Sequence, residues 1–177
     1  VPRDVTDVID VVRAAAAESL ARGETFYSHN LGLPALREAI ARYASGLHRE
    51  VAAARIAVTS SGVNALMIAM QALVDAGDEV VVVVPVWPNL PAQPAILGGR
   101  VVRFSLEVHD AAWRLDLQAL LHTVTQRTRV LLINSPNNPT GAVYSPNEVA
   151  AIGRWAADKG IWVVTDEIYE HLVYGDA

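Results

Sequence analysis

Residues 79–84 read Glu-Val-Val-Val-Val-Val and residues 129–134 read Arg-Val-Leu-Leu-Ile-Asn. Unbroken β-branched and aliphatic runs of this length suit strands covered on both faces, as in a parallel sheet, better than the in-out alternation of a half-solvated one. Two more segments read as strands, Arg100–Leu106 (RVVRFSL) and Ile161–Thr165 (IWVVT). Helical spacing fills the gaps. Val63–Asp75 is rich in Ala, Met and Leu, and Leu90–Leu97 and Leu115–Val124 are shorter. A further helix opens at Ser145 with Glu148 as a capping box and closes at Gly160.

Upstream, apolar residues recur at helical spacing over Val5–Arg22, with Gly23 as the stop, and a second helix follows Pro34. Arg55–Ser60 (RIAVTS) reads as a short strand leading through Gly62 into the next helix. The expectation is therefore an α/β fold, a mostly parallel sheet with helices on both faces and right-handed crossovers. In such sheets ligands bind beyond the carboxyl ends of the strands. Four polar segments belong at that edge: Ser60–Asn64, Pro85–Asn89, Ser135–Gly141 and Asp166–Tyr169.

Composition narrows the partners. The 177 residues carry a net charge of -5, which disfavours a nucleic-acid surface, and no stretch is long and apolar enough to span a bilayer. Cysteine is absent, so there is no disulfide framework and no thiolate chemistry. The first residues, VPRDVTDVID, lack the basic region and apolar run of a secretory leader, which makes the cytoplasm the expected setting. The five histidines, His29, His48, His109, His122 and His171, are scattered and suggest no metal site.

Each polar segment has a chemistry. The turn Ser60-Ser61-Gly62-Val63-Asn64 runs straight into a helix, whose first N–H groups and dipole attract an anion, although Ser and Gly there also serve as plain caps. Trp87, held between Pro85-Val86 and Pro88, can offer an indole face to a planar ligand or serve as an ordinary surface or core tryptophan. Asn138 stands in a segment of ordinary turn composition, where its amide can also reach a ligand, and Asp166, at a strand end, can orient a protonated ring nitrogen or simply cap the next segment.

In combination these segments resemble the fold-type I, class I/II aminotransferases that depend on pyridoxal phosphate (PLP). The resemblance is carried by YSHNLGLPALREAI from Tyr27, TSSGVNALMIAMQALVDAGDEV from Thr59, PVWPNL from Pro85, NSPNNPTGAVY from Asn134 and VTDEIYEHLVY from Val164. The Asn-Pro-Thr-Gly turn followed by Asp-x-x-Tyr is the most specific part. The resemblance implies that residues 1–50 form an N-terminal helical segment leading into a large PLP-binding domain, present in part over residues 51–177.

It further implies that Ser61, Gly62 and Val63 bind the phosphate, largely through backbone N–H groups, and that Trp87 stacks on the pyridine ring. Asn138 and Tyr169 would hydrogen-bond the ring hydroxyl, and Asp166 would pair with the ring nitrogen. Tyr27 would reach the phosphate of a neighbouring subunit, which implies a homodimer. The substrates would be an amino acid and a 2-oxo acid. Related outcomes are a PLP-dependent C–S β-lyase or a PLP-binding regulatory domain. The lysine that joins PLP in this family comes from a later strand, beyond Ala177. The only lysine here, Lys159, ends a helix, so these residues alone are expected to be inactive. Two further strands are expected from the same later sequence, between Arg55–Ser60 and Arg129–Asn134.

Overall fold

The structure, a computed structural model, describes residues 5–47 and 49–174; His48 lies outside them. The chain forms two compact units, Val1–Thr59 and Ser60–Ala177.

In the first unit, helix α1 spans Val5–Ala21 and helix α2 spans Pro34–Leu47. Gly23, at φ 75°, turns the chain out of α1, its N–H donating to Leu20 O at 2.9 Å. The Arg37 guanidinium donates to the carbonyls of Ile56 and Ala53, each at 2.8 Å. Those bonds anchor a 3-10 turn at Ala53–Arg55 and the extended segment after it.

Here the structure corrects the sequence reading. Arg55–Ser60 is not a strand: residues 56–60 pair with no sheet. Val58 N–H donates instead to Leu31 O at 2.9 Å, and Arg37 takes the Ile56 carbonyl. The composition favours an extended chain, but a strand exists only through its ladder, and no strand of the described residues lies alongside to form one.

The second unit carries the sheet. Strands β1 (Glu79–Val84), β2 (Arg100–Ser105), β5 (Thr128–Asn134) and β6 (Trp162–Asp166) lie in the order β2-β1-β5-β6, and all three pairings are parallel. The neighbour of β5 on the side away from β1 is thus β6, which leaves the outer sides of β6 and β2 as the free edges of this sheet among the described residues. The valine run behaves as its composition demands, since Val80, Val81, Val82 and Val83 are all essentially inaccessible to solvent. Their alternation feeds two cores. Val80, Val82, Val130 and Leu132 pack with Met70 of helix α3 (Gly62–Leu73) and Leu90 of helix α4 (Asn89–Ile96). Val81, Val83, Leu131 and Ile133 pack on the other face with Leu120 of helix α5 (Leu117–His122) and with Ile152 and Ala156 of helix α6 (Pro146–Lys159).

Helix α6 begins with the expected capping box, Ser145 Oγ accepting from Glu148 N and Glu148 Oε2 accepting from Ser145 N, and ends at Gly160 in the left-handed region, φ 67°. Pro94 lies buried inside α4 near its end, in a helix that Leu90 holds against Met70 and the strands, and there the lost N–H bond is tolerated. One element has no counterpart in the sequence reading: a hairpin of β3 (Glu107–His109) and β4 (Ala112–Arg114), turned by Asp110 and Ala111 at φ 51° and 61°.

Candidate active site

Every parallel strand of the sheet points its carboxyl end the same way, and the segments that follow β1, β5 and β6 meet there with the start of α3. They enclose a cavity of about 540 Å³. Its walls include Gly62 and Val63 from α3, Trp87 after β1, Asn134 and Asn138 after β5, and Asp166 and Tyr169 after β6. Six of the eight residues singled out from the sequence therefore share one cavity.

The α3 wall is built by its cap. Ser61 Oγ accepts from Asn64 N at 3.2 Å and so caps the helix, and Ser61 does not line the cavity. The N–H groups of Gly62 and Val63 belong to the first turn, where the helix supplies no acceptor and the dipole favours an anion. Gln93, nine-tenths and more buried on α4, donates from Nε2 to Val63 O at 2.9 Å and ties the start of α3 to α4.

The loop after β5 sorts its two asparagines. Asn137 is buried and closes the turn: its Oδ1 accepts from Thr140 N at 3.1 Å and Thr140 Oγ1 at 2.7 Å, while Gly141 N, at φ 72°, donates to Asn137 O at 2.8 Å. Asn138, half-buried, lines the cavity. Composition alone does not separate the two; the turn geometry does.

Past β6 a tight turn, with Glu170 N–H donating to Glu167 O at 3.0 Å and Leu172 N–H to Tyr169 O at 2.7 Å, folds Tyr169 back to the cavity beside Asp166. Ile168 N–H makes a long 3.4 Å contact with Asp166 Oδ1, and among the described residues no cationic side chain forms an ion pair with this half-buried carboxylate. It can therefore accept a hydrogen bond from a cationic partner in the cavity.

Neither Tyr27 nor Lys159 is among the residues that line the cavity. Tyr27 belongs to the first unit and is fully exposed. Lys159 ends α6, before β6 begins, whereas Asp166 ends β6, so at about 3.3 Å per residue they are on the order of 20 Å apart, beyond the reach of a lysine side chain. Among the described residues no three His, Asp or Glu side chains cluster as a metal would require, and no helix is long and apolar enough to cross a membrane.

The sequence reading missed Asn134. Its signal was an amide closing a buried aliphatic strand, where an apolar residue would be expected, and it lies 1% exposed between Asn138 and Asp166.

Residues 2–177 match the family described as aminotransferase class I and II. The chain is 46% identical over 149 residues to an aspartate aminotransferase of Streptomyces avermitilis, covering 82% of this chain and 36% of that protein. It is 40% identical over 171 residues to the aspartate/prephenate aminotransferase of Thermus thermophilus, covering 95% of this chain and 44% of that one. Among solved structures, the aspartate aminotransferase from Thermus thermophilus with maleate superposes with a TM-score of 0.88 at 39% identity, over 93% of this chain and 43% of that one. The chain thus spans less than half the length of these relatives.

Proposed function

The chain belongs to the aminotransferase class I and II family, and from that premise we propose that the intact protein moves an amino group from an amino acid to a 2-oxo acid, using PLP held in the cavity beside Asp166. The observation that carries the reading is the convergence of Trp87, Asn138, Asp166 and Tyr169 with the first turn of α3 on one cavity. Its walls fit PLP group by group: helix N–H groups for a phosphate, an aromatic face for a flat ring, an amide and a phenol for a ring hydroxyl, and a carboxylate for a ring nitrogen.

PLP, when bound, supplies the electron sink that stabilises a carbanion at the substrate's α carbon. The protein's part is binding and charge control. Gly62 and Val63 take the phosphate on backbone N–H groups, and Trp87 stacks on the ring and excludes water from one face. Asn138 and Tyr169 donate to the ring oxygen and favour its anionic form. The Asp166 carboxylate accepts from the ring N–H and holds the proton there, since a facing negative charge favours the cationic form. The group that shuttles the α proton, a lysine, lies outside these residues on this reading, since Lys159 cannot reach the cavity.

Tyr27 we assign to the phosphate of a second subunit, which makes the intact protein a homodimer, and the cytoplasm is its proposed location. In that assembly Tyr27→Phe weakens PLP retention; a structure of the dimer with the Tyr27 hydroxyl far from every phosphate would reject the assignment. The names of the relatives make aspartate the first amino donor to test. Aspartate with 2-oxoglutarate should yield glutamate and oxaloacetate. Release of ammonia, pyruvate and thiol from cystathionine with no amino transfer would instead favour a C–S β-lyase.

A further inference from the structure

Asn134 ends β5, 1% exposed, and its side chain makes two hydrogen bonds in opposite senses. Nδ2 donates to the carbonyl oxygen of Asp166 at 2.8 Å, and Oδ1 accepts from the backbone N–H of Asn138 at 2.7 Å. The two partners fix the amide orientation unambiguously, because one is an obligate acceptor and the other an obligate donor. Neither bond is needed to pair the strands. The Asp166 carbonyl already accepts from Ser135 N–H at 3.2 Å in the parallel register Asn134↔Asp166. The Asn138 turn is already closed from within by Asn137, Thr140 and Gly141.

What Asn134 adds is a fixed spacing between two backbone points that no other side chain of the described residues joins: the carbonyl of the residue that carries the cavity carboxylate and the amide of the residue that carries the cavity carboxamide. A buried amide with donor and acceptor both satisfied is rigid, since breaking either bond leaves a polar group without water. Asn134 also lines the cavity itself.

We infer that Asn134 is a positioning residue, one that sets the separation of Asp166 and Asn138 so that the ring nitrogen and the ring oxygen of a bound PLP are met at once; this rests on the reading of the cavity as a PLP site. A ring held at its nitrogen and at its oxygen by two loops tolerates little relative movement of those loops. Loss of the brace lets each contact form, but not both at full strength.

The test uses the intact protein with PLP. Asn134→Ala and Asn134→Ser are compared with wild type for PLP affinity and for the pH midpoint of the bound cofactor's visible absorbance, with urea unfolding of the PLP-free protein alongside. In Asn134→Ala the dissociation constant should rise about tenfold, the cost of roughly one hydrogen bond. The absorbance midpoint should move to higher pH, because weaker donation from Asn138 leaves the anionic ring oxygen less stabilised. Asn134→Ser, whose shorter hydroxyl reaches one partner at most, should fall between. A residue that merely stabilises the sheet would lower urea stability and leave the midpoint of the bound cofactor in place, and that outcome overturns the inference. Failure of both variants to fold assigns Asn134 to stability and overturns it too. If wild type itself takes up no PLP, the cofactor reading fails first, and this inference with it.

Discussion

Gln93 and Val63, thirty residues apart, are joined by a 2.9 Å hydrogen bond from the buried side-chain amide of one to the backbone carbonyl of the other. The bond locks the start of α3, proposed to hold a phosphate, to α4, the helix that Trp87 precedes. The Val63 carbonyl keeps its own helical partner one turn on, so removing Gln93 does not orphan it. Gln93→Leu should therefore lower stability by about 1 kcal/mol, and Gln93→Ala, which adds a void, by about 2 kcal/mol. Urea unfolding of the intact protein reads both; an unchanged midpoint in each would show that the bond contributes nothing.

Glu79 predicts a pH dependence. Its side chain is buried at the amino end of β1, where Thr125 Oγ1 donates at 2.6 Å and the guanidinium groups of Arg100 and Arg127 stand at 2.7 and 3.3 Å. The Thr125 hydrogen bond first, then the two arginines, hold its pKa below the ordinary 4.5 against the opposing cost of burial. A carboxylate depressed on folding contributes stability that is full above its unfolded value and is lost as pH falls through the folded one. Glu79→Gln should thus cost about 1–3 kcal/mol at neutral pH. That difference from wild type should shrink as pH is lowered below 4.5. A cost that is independent of pH across this range would remove the charge from the explanation.

The outer edge of β6 predicts association. β6 pairs with β5 on one side and with no strand of the described residues on the other, and Trp162 and Ile168 nearby are 62% and 74% exposed. An open, apolar-flanked parallel edge recruits further strands or a second chain. Purified alone, these 177 residues should self-associate in light scattering. A stable monomer would show that the edge is protected by means absent from the described structure.

Much of this architecture is legible in single segments, because it rests on local physics. The valine run of β1 and the aliphatic run of β5 announce buried parallel strands, Ser145 and Glu148 announce a helix start, and the polar residues after the strands mark the ligand edge. What escapes is what depends on partners distant in sequence. Arg55–Ser60 has strand composition yet no ladder. The β3–β4 hairpin turns on Asp110 and Ala111 at positive φ, and alanine gives no hint of such a turn. Asn134 and Gln93 look like a strand end and a helix position until the fold brings Asp166, Asn138 and Val63 to them.

The proposed pairing of Asp166 with the ring nitrogen of PLP is the centre of the account, and it can be observed without turnover. The intact protein would be loaded with PLP labelled with ¹⁵N in the ring, and the ring-nitrogen chemical shift followed from neutral to alkaline pH in wild type and in Asp166→Ala. The carboxylate should keep the nitrogen protonated well above the pH at which free PLP loses that proton, and Asp166→Ala should show the unprotonated shift at neutral pH with transamination at least about a hundredfold slower. An identical ring-nitrogen shift in the two proteins across the whole range would contradict the assignment.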